Sequence, residues 1–234
     1  MPLHTKEGAL QFLDYYLKAS QNGWNMTPRV RVAITDTGGS NRRAKLNEWP
    51  IEQTEHVKVY LDADRHTLSR NGSSCQAKTT YRGSTGKTTF VTTFAEDTQL
   101  LGYFSGHIFM EADGADDMDL FLTLEKLDRD GNLLTPLLAC TVDLESQCIS
   151  AAGSTRGTQA CLRVSLRVVG RQESTSFFPV QTYGSPQKLA AGQMVPIDGA
   201  FIPSAYYFHA GQKLRLVISG QSDSGVSAIN MDPT

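Results

Sequence analysis

The sequence predicts an all-β protein: an antiparallel β-sandwich of jelly-roll type, preceded by one α-helix. Three observations lead there. Segments that alternate apolar and polar residues recur along most of the chain, the pattern of strands with one face on a core and one in water. Turn-forming clusters separate them, at Asp128-Arg-Asp-Gly131, Ala152-Gly153-Ser154 and Ala210-Gly211. No long helical period lies between the strands, so βαβ units are absent and the connections are those of antiparallel sheets.

The helix is expected over Thr5–Ala19. Leu10, Leu13 and Leu17 fall on one face, with Phe12, Tyr15 and Tyr16 beside them; Thr5 is placed as N-cap, and Gly23 lies just past the end. An apolar face this wide calls for burial on more than one side. The first strand is Arg29–Thr35, with Val30, Val32 and Ile34 facing one way and Arg29, Arg31 and Ala33 the other. The polar stretch Asp36–Asn47, with two glycines and Arg42, Arg43 and Lys45, reads as an exposed loop. Val57, Val59 and Leu61 alternate again. Further strands are expected at Thr88–Phe94, Leu100–Met110, Asp119–Leu127, Cys161–Val169 and Lys213–Ser219. The last three split cleanly: Leu120, Leu122 and Leu124; then Leu162, Val164, Leu166 and Val168 against Arg163, Ser165 and Arg167; then Leu214, Leu216 and Ile218.

Composition narrows the function classes. A chain of 234 residues buries roughly 70% of its unfolded surface and needs no disulfide or metal to fold. Apolar residues are 40% and charged residues 20%, ordinary for a globular protein. With 22 Lys and Arg against 24 Asp and Glu, the formal charge is −2, which gives no electrostatic reason to expect nucleic acid or an anionic membrane as partner. No apolar run approaches the ~20 residues of a spanning helix, and Met1–Gly8 lacks the apolar core of a signal peptide. A cytoplasmic location is expected. Cys75, Cys140, Cys148 and Cys161 form no CxxC pair and are read as reduced, buried thiols, with Cys140–Cys148 or Cys148–Cys161 as the alternative bridges. The sequons at Asn25 and Asn71 read as chance matches.

No motif supplies a catalytic, cofactor or metal site. Gly83-Ser-Thr-Gly-Lys-Thr88 resembles the end of a phosphate-binding loop, but Tyr81 stands where the motif needs glycine, and β-prone residues rather than a helix follow Lys87. Asp113, Asp116, Asp117 and Asp119 offer the hard oxygens calcium takes, without the spacing of a known loop; a solvated turn is the other reading. Gly220-Gln-Ser-Asp-Ser224 lacks the second glycine of a nucleophile elbow. His4, His56, His66, His107 and His209 show no H-x-x-x-H or H-E-x-x-H spacing. Trp24, Trp49 and the run Tyr206-Tyr207-Phe208 suit either a sugar-stacking platform or internal packing.

Five segments in order resemble one family, the CocE/NonD serine hydrolases, which include cocaine esterase and X-prolyl dipeptidyl-peptidases. GALQFLDYYLKASQNG is similar to the last helix of the family's α/β-hydrolase domain, and RVRVAI to the strand that follows. EWPIEQTEHVKVYLDADRHTLS resembles its Trp-Pro segment, and ADDMDLFLTLEKLDRDGN its Asp-Gly hairpin. FIPSAYYFHAGQKLRLVIS resembles its closing strands through Pro203, Ser204, Phe208, Ala210, Gly211, Leu214, Arg215, Leu216 and Ile218. The stretch Thr141–Thr158 is longer, and Ser222–Thr234 shorter, than the family pattern.

The resemblance implies a galactose-binding-like jelly roll and, upstream of Met1, an α/β-hydrolase domain that carries the Ser-His-Asp triad. It therefore implies three parts: residues 1–23 as the tail helix of that catalytic domain, 24–72 as a connecting strand and linker, and 73–234 as the jelly-roll domain. The implied function is that of a non-catalytic C-terminal domain, inactive alone, which shapes the active-site cleft and supports assembly of the enzyme. The implied partners are the catalytic domain in the same polypeptide and further copies of the chain; no cofactor is implied. A free-standing carbohydrate-binding jelly roll is the alternative, marked by an exposed aromatic platform. A wide apolar patch on the helix and on one sheet face marks the first reading.

Overall fold

The structure, a computed structural model, describes residues 6–36, 41–51, 54–72, 77–134, 140–142, 148–151 and 156–222. One helix, α1 (Lys6–Lys18), precedes fourteen strands. These are β1 (Val30–Thr35), β2 (Asn41–Leu46), β3 (Tyr60–Asp62), β4 (Thr67–Ser69), β5 (Lys87–Thr93), β6 (Thr98–Gly102), β7 (Ser105–Glu111) and β8 (Asp119–Leu127). Then follow β9 (Cys140–Val142), β10 (Cys148–Ala151), β11 (Gly157–Arg163), β12 (Met194–Ala200), β13 (Ser204–Phe208) and β14 (Lys213–Ser219). Among the described residues two 3-10 turns, Trp24–Met26 and Val164–Leu166, add to the regular structure.

The largest sheet has the order β11-β8-β14-β5-β4-β3, and a second has the order β2-β1-β13-β6. Strands β12 and β7 form a third ladder, and β9 pairs with β10. The named pairings are antiparallel except two single parallel contacts, Thr35↔Tyr206 between β1 and β13 and Thr67↔Val91 between β4 and β5. Strands from residues 30–69 thus join both main sheets rather than lying apart from them.

One core gathers the inner faces of three ladders. Phe90, Leu120, Leu122, Leu124, Leu162, Leu214, Leu216 and Ile218 come from the six-stranded sheet, Tyr206 and Phe208 from β13, and Ile108, Val195 and Ile197 from β7 and β12. Burying each such side chain is worth about 1.5–3 kcal/mol, enough to fix the register of every strand that contributes one. Gly157 sits where β11 crosses β8; a Cβ there would lie 1.7 Å from the Leu124 carbonyl oxygen, so only glycine allows the approach.

Asp119–Leu127 and Lys213–Ser219 carry the expected bounds, and β1 and β5 differ by one residue at an end. Other expectations need correction. The stretch read as a loop at Asp36–Asn47 contains β2, hydrogen-bonded to β1 in full register from Val30↔Leu46 to Thr35↔Asn41; an edge strand need not bury alternate residues, so its polar sequence hides it. Leu100–Met110 is two strands. The chain turns at Gly102 (φ 136°) and moves from the β13 ladder to the β12 ladder. The strand expected at Cys161–Val169 begins at Gly157 and ends at Arg163, where the Val164–Leu166 turn takes over. Val57 and Val59 belong to no ladder and are exposed. Strand β8 is buried on both faces from Leu122 to Leu127, including Glu125 and Lys126, because it is central in its sheet. The Ala152–Ser154 turn lies outside the described residues.

Candidate docking surface

Helix α1 ends at Lys18. Ala19 takes a left-handed conformation (φ 53°), and the Ser20 amide returns to the Asp14 carbonyl at 3.1 Å. Gly23, expected as the stop, instead precedes the Trp24–Met26 turn in a left-handed conformation (φ 80°), and Thr5 lies outside the described residues. Two reciprocal bonds hold the helix to this turn: Gln11 Nε2 donates to the Asn22 carbonyl (2.8 Å) and Asn22 Nδ2 to the Gln11 carbonyl (2.7 Å). Phe12 meets the Trp24 ring edge-on at 5.3 Å. The rest of the helix is bare. Leu10, Phe12, Leu13, Tyr16 and Leu17 are all exposed, Leu17 to 76%, and Met26 continues the apolar strip. The wide apolar face is thus exposed among the described residues.

The strip runs into a basic hairpin. The register sets Val30, Val32 and Ile34 on the inner face of β1 and Arg31 on the outer, directly opposite Lys45 of β2. The Arg31 guanidinium stands 5.3 Å from the centre of the Trp24 ring, so helix, turn and hairpin form one continuous surface.

A second concavity lies nearby in sequence. Trp49, Pro50, Ile51, Thr54, His56, Leu101, Gly102, Tyr103 and Phe177 line a groove of about 330 Å³. Trp49 Nε1 donates to the Tyr103 hydroxyl (3.1 Å), and His56 stacks on Phe177 at 4.7 Å.

The hairpin is fixed to the sheets by an ionic hub. Asp36, just past β1, accepts from Arg42 Nε of β2 (2.7 Å), contacts His209 Nε2 after β13 (2.9 Å) and lies 3.7 Å from Lys126 Nζ of β8. The Lys126 side chain is 1% exposed and also donates to the Tyr207 carbonyl. Desolvation pushes the Lys126 ammonium below the ordinary lysine value, against the pull of Asp36. The hydrogen bond to Asp36 raises Arg42 further. Asp97 is held below the usual carboxylate range, first by the Ala210 amide and then by the Tyr207 hydroxyl, which donates to it at 2.9 Å. Arg42 covers the Tyr207 ring at 3.7 Å. Nothing in the residue spacing marked this hub, since its members are brought together by the pairing of β1 with β2 and β13 and by the packing of β8's sheet against them.

The residues weighed from the sequence are dispersed. His56 stacks in the aromatic groove, and His66 faces the Thr89 carbonyl (3.2 Å). His107 contacts Asp198 across β7 and β12 (2.7 Å), His209 serves the hub, and His4 lies outside the described residues. The acidic cluster is split. Arg163 Nε and an Nη hold Asp119 at 2.9 and 3.0 Å, Lys188 pairs with Asp116, and Asp117 accepts the amides of Met118 and Ser165. Among the described residues, no three His, Cys, Asp or Glu side chains group as a metal site. Lys87 of the phosphate-loop-like segment opens strand β5 rather than a helix. Tyr206 and Phe208 are buried in the core, so the densest aromatic run is no platform. Cys161 is a free thiol, but exposed rather than buried; the side chains of the other three cysteines lie outside the described residues. No described helix is long and apolar enough to cross a membrane.

Comparison with known proteins gives this surface a context. Residues 22–233 match the family described as X-Pro dipeptidyl-peptidase C-terminal non-catalytic domain. The crystal structure of a CocE/NonD family hydrolase from Staphylococcus aureus superposes with a TM-score of 0.82 at 27% identity, over 94% of this chain and 39% of that one. An aminopeptidase from a marine sediment archaeon, Thaumarchaeota, shares the fold at a TM-score of 0.59 and 14% identity, over 90% of this chain and 36% of that one. An α-amino acid ester hydrolase shares it at 0.55 and 15%, again over 90% and 36%. No curated protein sequence matches. The chain therefore spans well under half the length of these structural relatives, and it belongs to the family of X-Pro dipeptidyl-peptidase C-terminal non-catalytic domains.

Proposed function

We propose that the chain works as the non-catalytic C-terminal domain of a serine hydrolase acting on esters, amides or X-Pro peptides. In this reading it docks against an α/β-hydrolase domain of the same polypeptide, covers and shapes the active-site cleft, and supports assembly of the enzyme in the cytoplasm. The sheets form a galactose-binding-like jelly roll. Residues 1–23 pack with the catalytic domain, and the connecting segment 24–72 adds its strands to the unit of 73–234.

The observation that carries the proposal is the bare apolar face of α1. Monomers rarely expose contiguous apolar patches beyond a few hundred Å², and such patches mark interaction sites. Five large apolar side chains on a helix of 13 residues are suited to a groove on another folded surface. The family match supports the same reading, because it describes a domain that accompanies a catalytic one.

The experiment has two steps. Reading the coding region upstream of Met1 is expected to reveal a G-x-S-x-G elbow in a strand–turn–helix context. The enzyme encoded there is then compared with a version cut at residue 22. Removal of the sheets is expected to change KM and substrate preference while the serine still reacts with a phosphonate. Unchanged kinetics without residues 23–234 would refute a role in shaping the cleft.

A further inference from the structure

The bare helix face ends at two unpaired cations, and their arrangement names the chemistry of what covers it. Arg31 and Lys45 stand directly opposite each other on the outer face of the β1–β2 hairpin. Like charges so placed destabilise a strand pair. Among the described residues neither makes an ion pair or hydrogen bond; Arg31 has only the Trp24 ring as neighbour. Lys45 is exposed and Arg31 is half-buried beside the Trp24 ring, so the pair sits at the protein surface. The chain as a whole carries a charge of −2, so this basic spot runs against the molecule's own balance. Through Trp24 and Phe12 it is continuous with Leu13, Tyr16 and Leu17 of α1.

We infer that this surface receives an acidic protein surface: an apolar groove or helix face edged by carboxylates that meet Arg31 and Lys45. A second copy of the chain is the competing occupant, and the concentration dependence of amide protection decides between the two. Fixed carboxylates in the partner remove the repulsion, select the docking register and speed encounter. The inference deepens the docking proposed above and rests on it for where the partner resides, though not for the partner's chemistry.

The test uses the intact chain and a defined probe: a helical peptide of about 20 residues with leucines at every third or fourth position and flanking glutamates. The same peptide with glutamine for glutamate is the control. The glutamate peptide is expected to bind at 50 mM NaCl and to weaken about fivefold at 300 mM, as the Debye length shortens. R31E/K45E is expected to weaken it at least about tenfold, or roughly 1.4 kcal/mol, and Leu13→Ala/Leu17→Ala to abolish binding of both peptides. Lys45, Leu13 and Leu17 are exposed and Arg31 is half-buried, so circular dichroism checks that both variants fold. Equal binding of the two peptides, or indifference to R31E/K45E, overturns the inference. So does tighter binding to duplex DNA or phosphatidylserine vesicles than to the glutamate peptide, lost in R31E/K45E. Amide protection of residues 6–18 that grows with protein concentration overturns it in favour of a second copy. None of these results alters the kinetic comparison above, so the two failures are separable.

Discussion

Asp36 answers two cations, Arg42 of β2 and Lys126 of β8, and contacts the His209 ring after β13, and the answer is costly to remove. Its side chain is 7% exposed, and that of Lys126 beside it is 1% exposed. Asp36→Asn leaves the Lys126 ammonium buried without a counter-charge, which costs about 3 kcal/mol. Urea unfolding is expected to show that loss, and a second change, Lys126→Met, to recover most of it by replacing the stranded cation with an apolar chain of similar shape. Equal stability of Asp36→Asn and the unaltered chain would contradict the hub. Asp117 offers a pH test. Burial pushes its carboxyl up, but Ser165, the Met118 amide and Lys188 outweigh this and hold it below the ordinary value. A carboxyl lowered on folding stabilises above its unfolded value near 4 and loses that contribution as pH falls. The stability difference between the unaltered chain and Asp117→Asn is therefore expected to shrink between about pH 5 and pH 2. A difference constant over that range would show that the bonds do not favour the ionised form.

At the scale of elements, what was legible in the sequence is what burial writes into it. Asp119–Leu127 and Lys213–Ser219 appear with their observed bounds because alternate leucines face one core. β2 was invisible because Asn41–Leu46 is an edge strand with few apolar residues, and β12 because Pro196 and Gly199 mask the inward Val195 and Ile197. The β6–β7 break needed Gly102 to be read as a turn inside an apolar run. Helix α1 was legible, but its partner was not, since an apolar face says that it needs cover and not what covers it. Among the described residues the helix is tied to the turn after it through Gln11, Asn22, Phe12 and Trp24. Deleting residues 1–22 is thus expected to leave the sheets folded and to lower Tm by less than about 3 °C, equivalent to under about 1 kcal/mol. Amides of residues 6–18 are expected to exchange fast in the isolated chain, because a helix of this length is marginal in water alone. Cooperative unfolding of the truncated chain would make the helix integral to the sheets.

For the whole molecule, the described sheets share one apolar core, and among the described residues no three His, Cys, Asp or Glu side chains group as a metal site. His56, His107 and His209 serve stacking and ionic contacts, and Asp116, Asp117 and Asp119 ionic and capping ones, while the apolar helix and the basic hairpin lie together on one surface. The surface came from topology: Arg31 meets Lys45 only through the β1–β2 register, and Asp36 meets Lys126 only through sheet packing, so no linear spacing announced either. The central claim, that the chain is non-catalytic by itself, is tested most directly by assaying the purified 234-residue chain with p-nitrophenyl esters and Gly-Pro-anilide, with and without a serine-directed phosphonate. The account predicts no turnover above the uncatalysed rate and no labelled serine. Turnover abolished by the phosphonate, with the label on a serine of this chain, would contradict it.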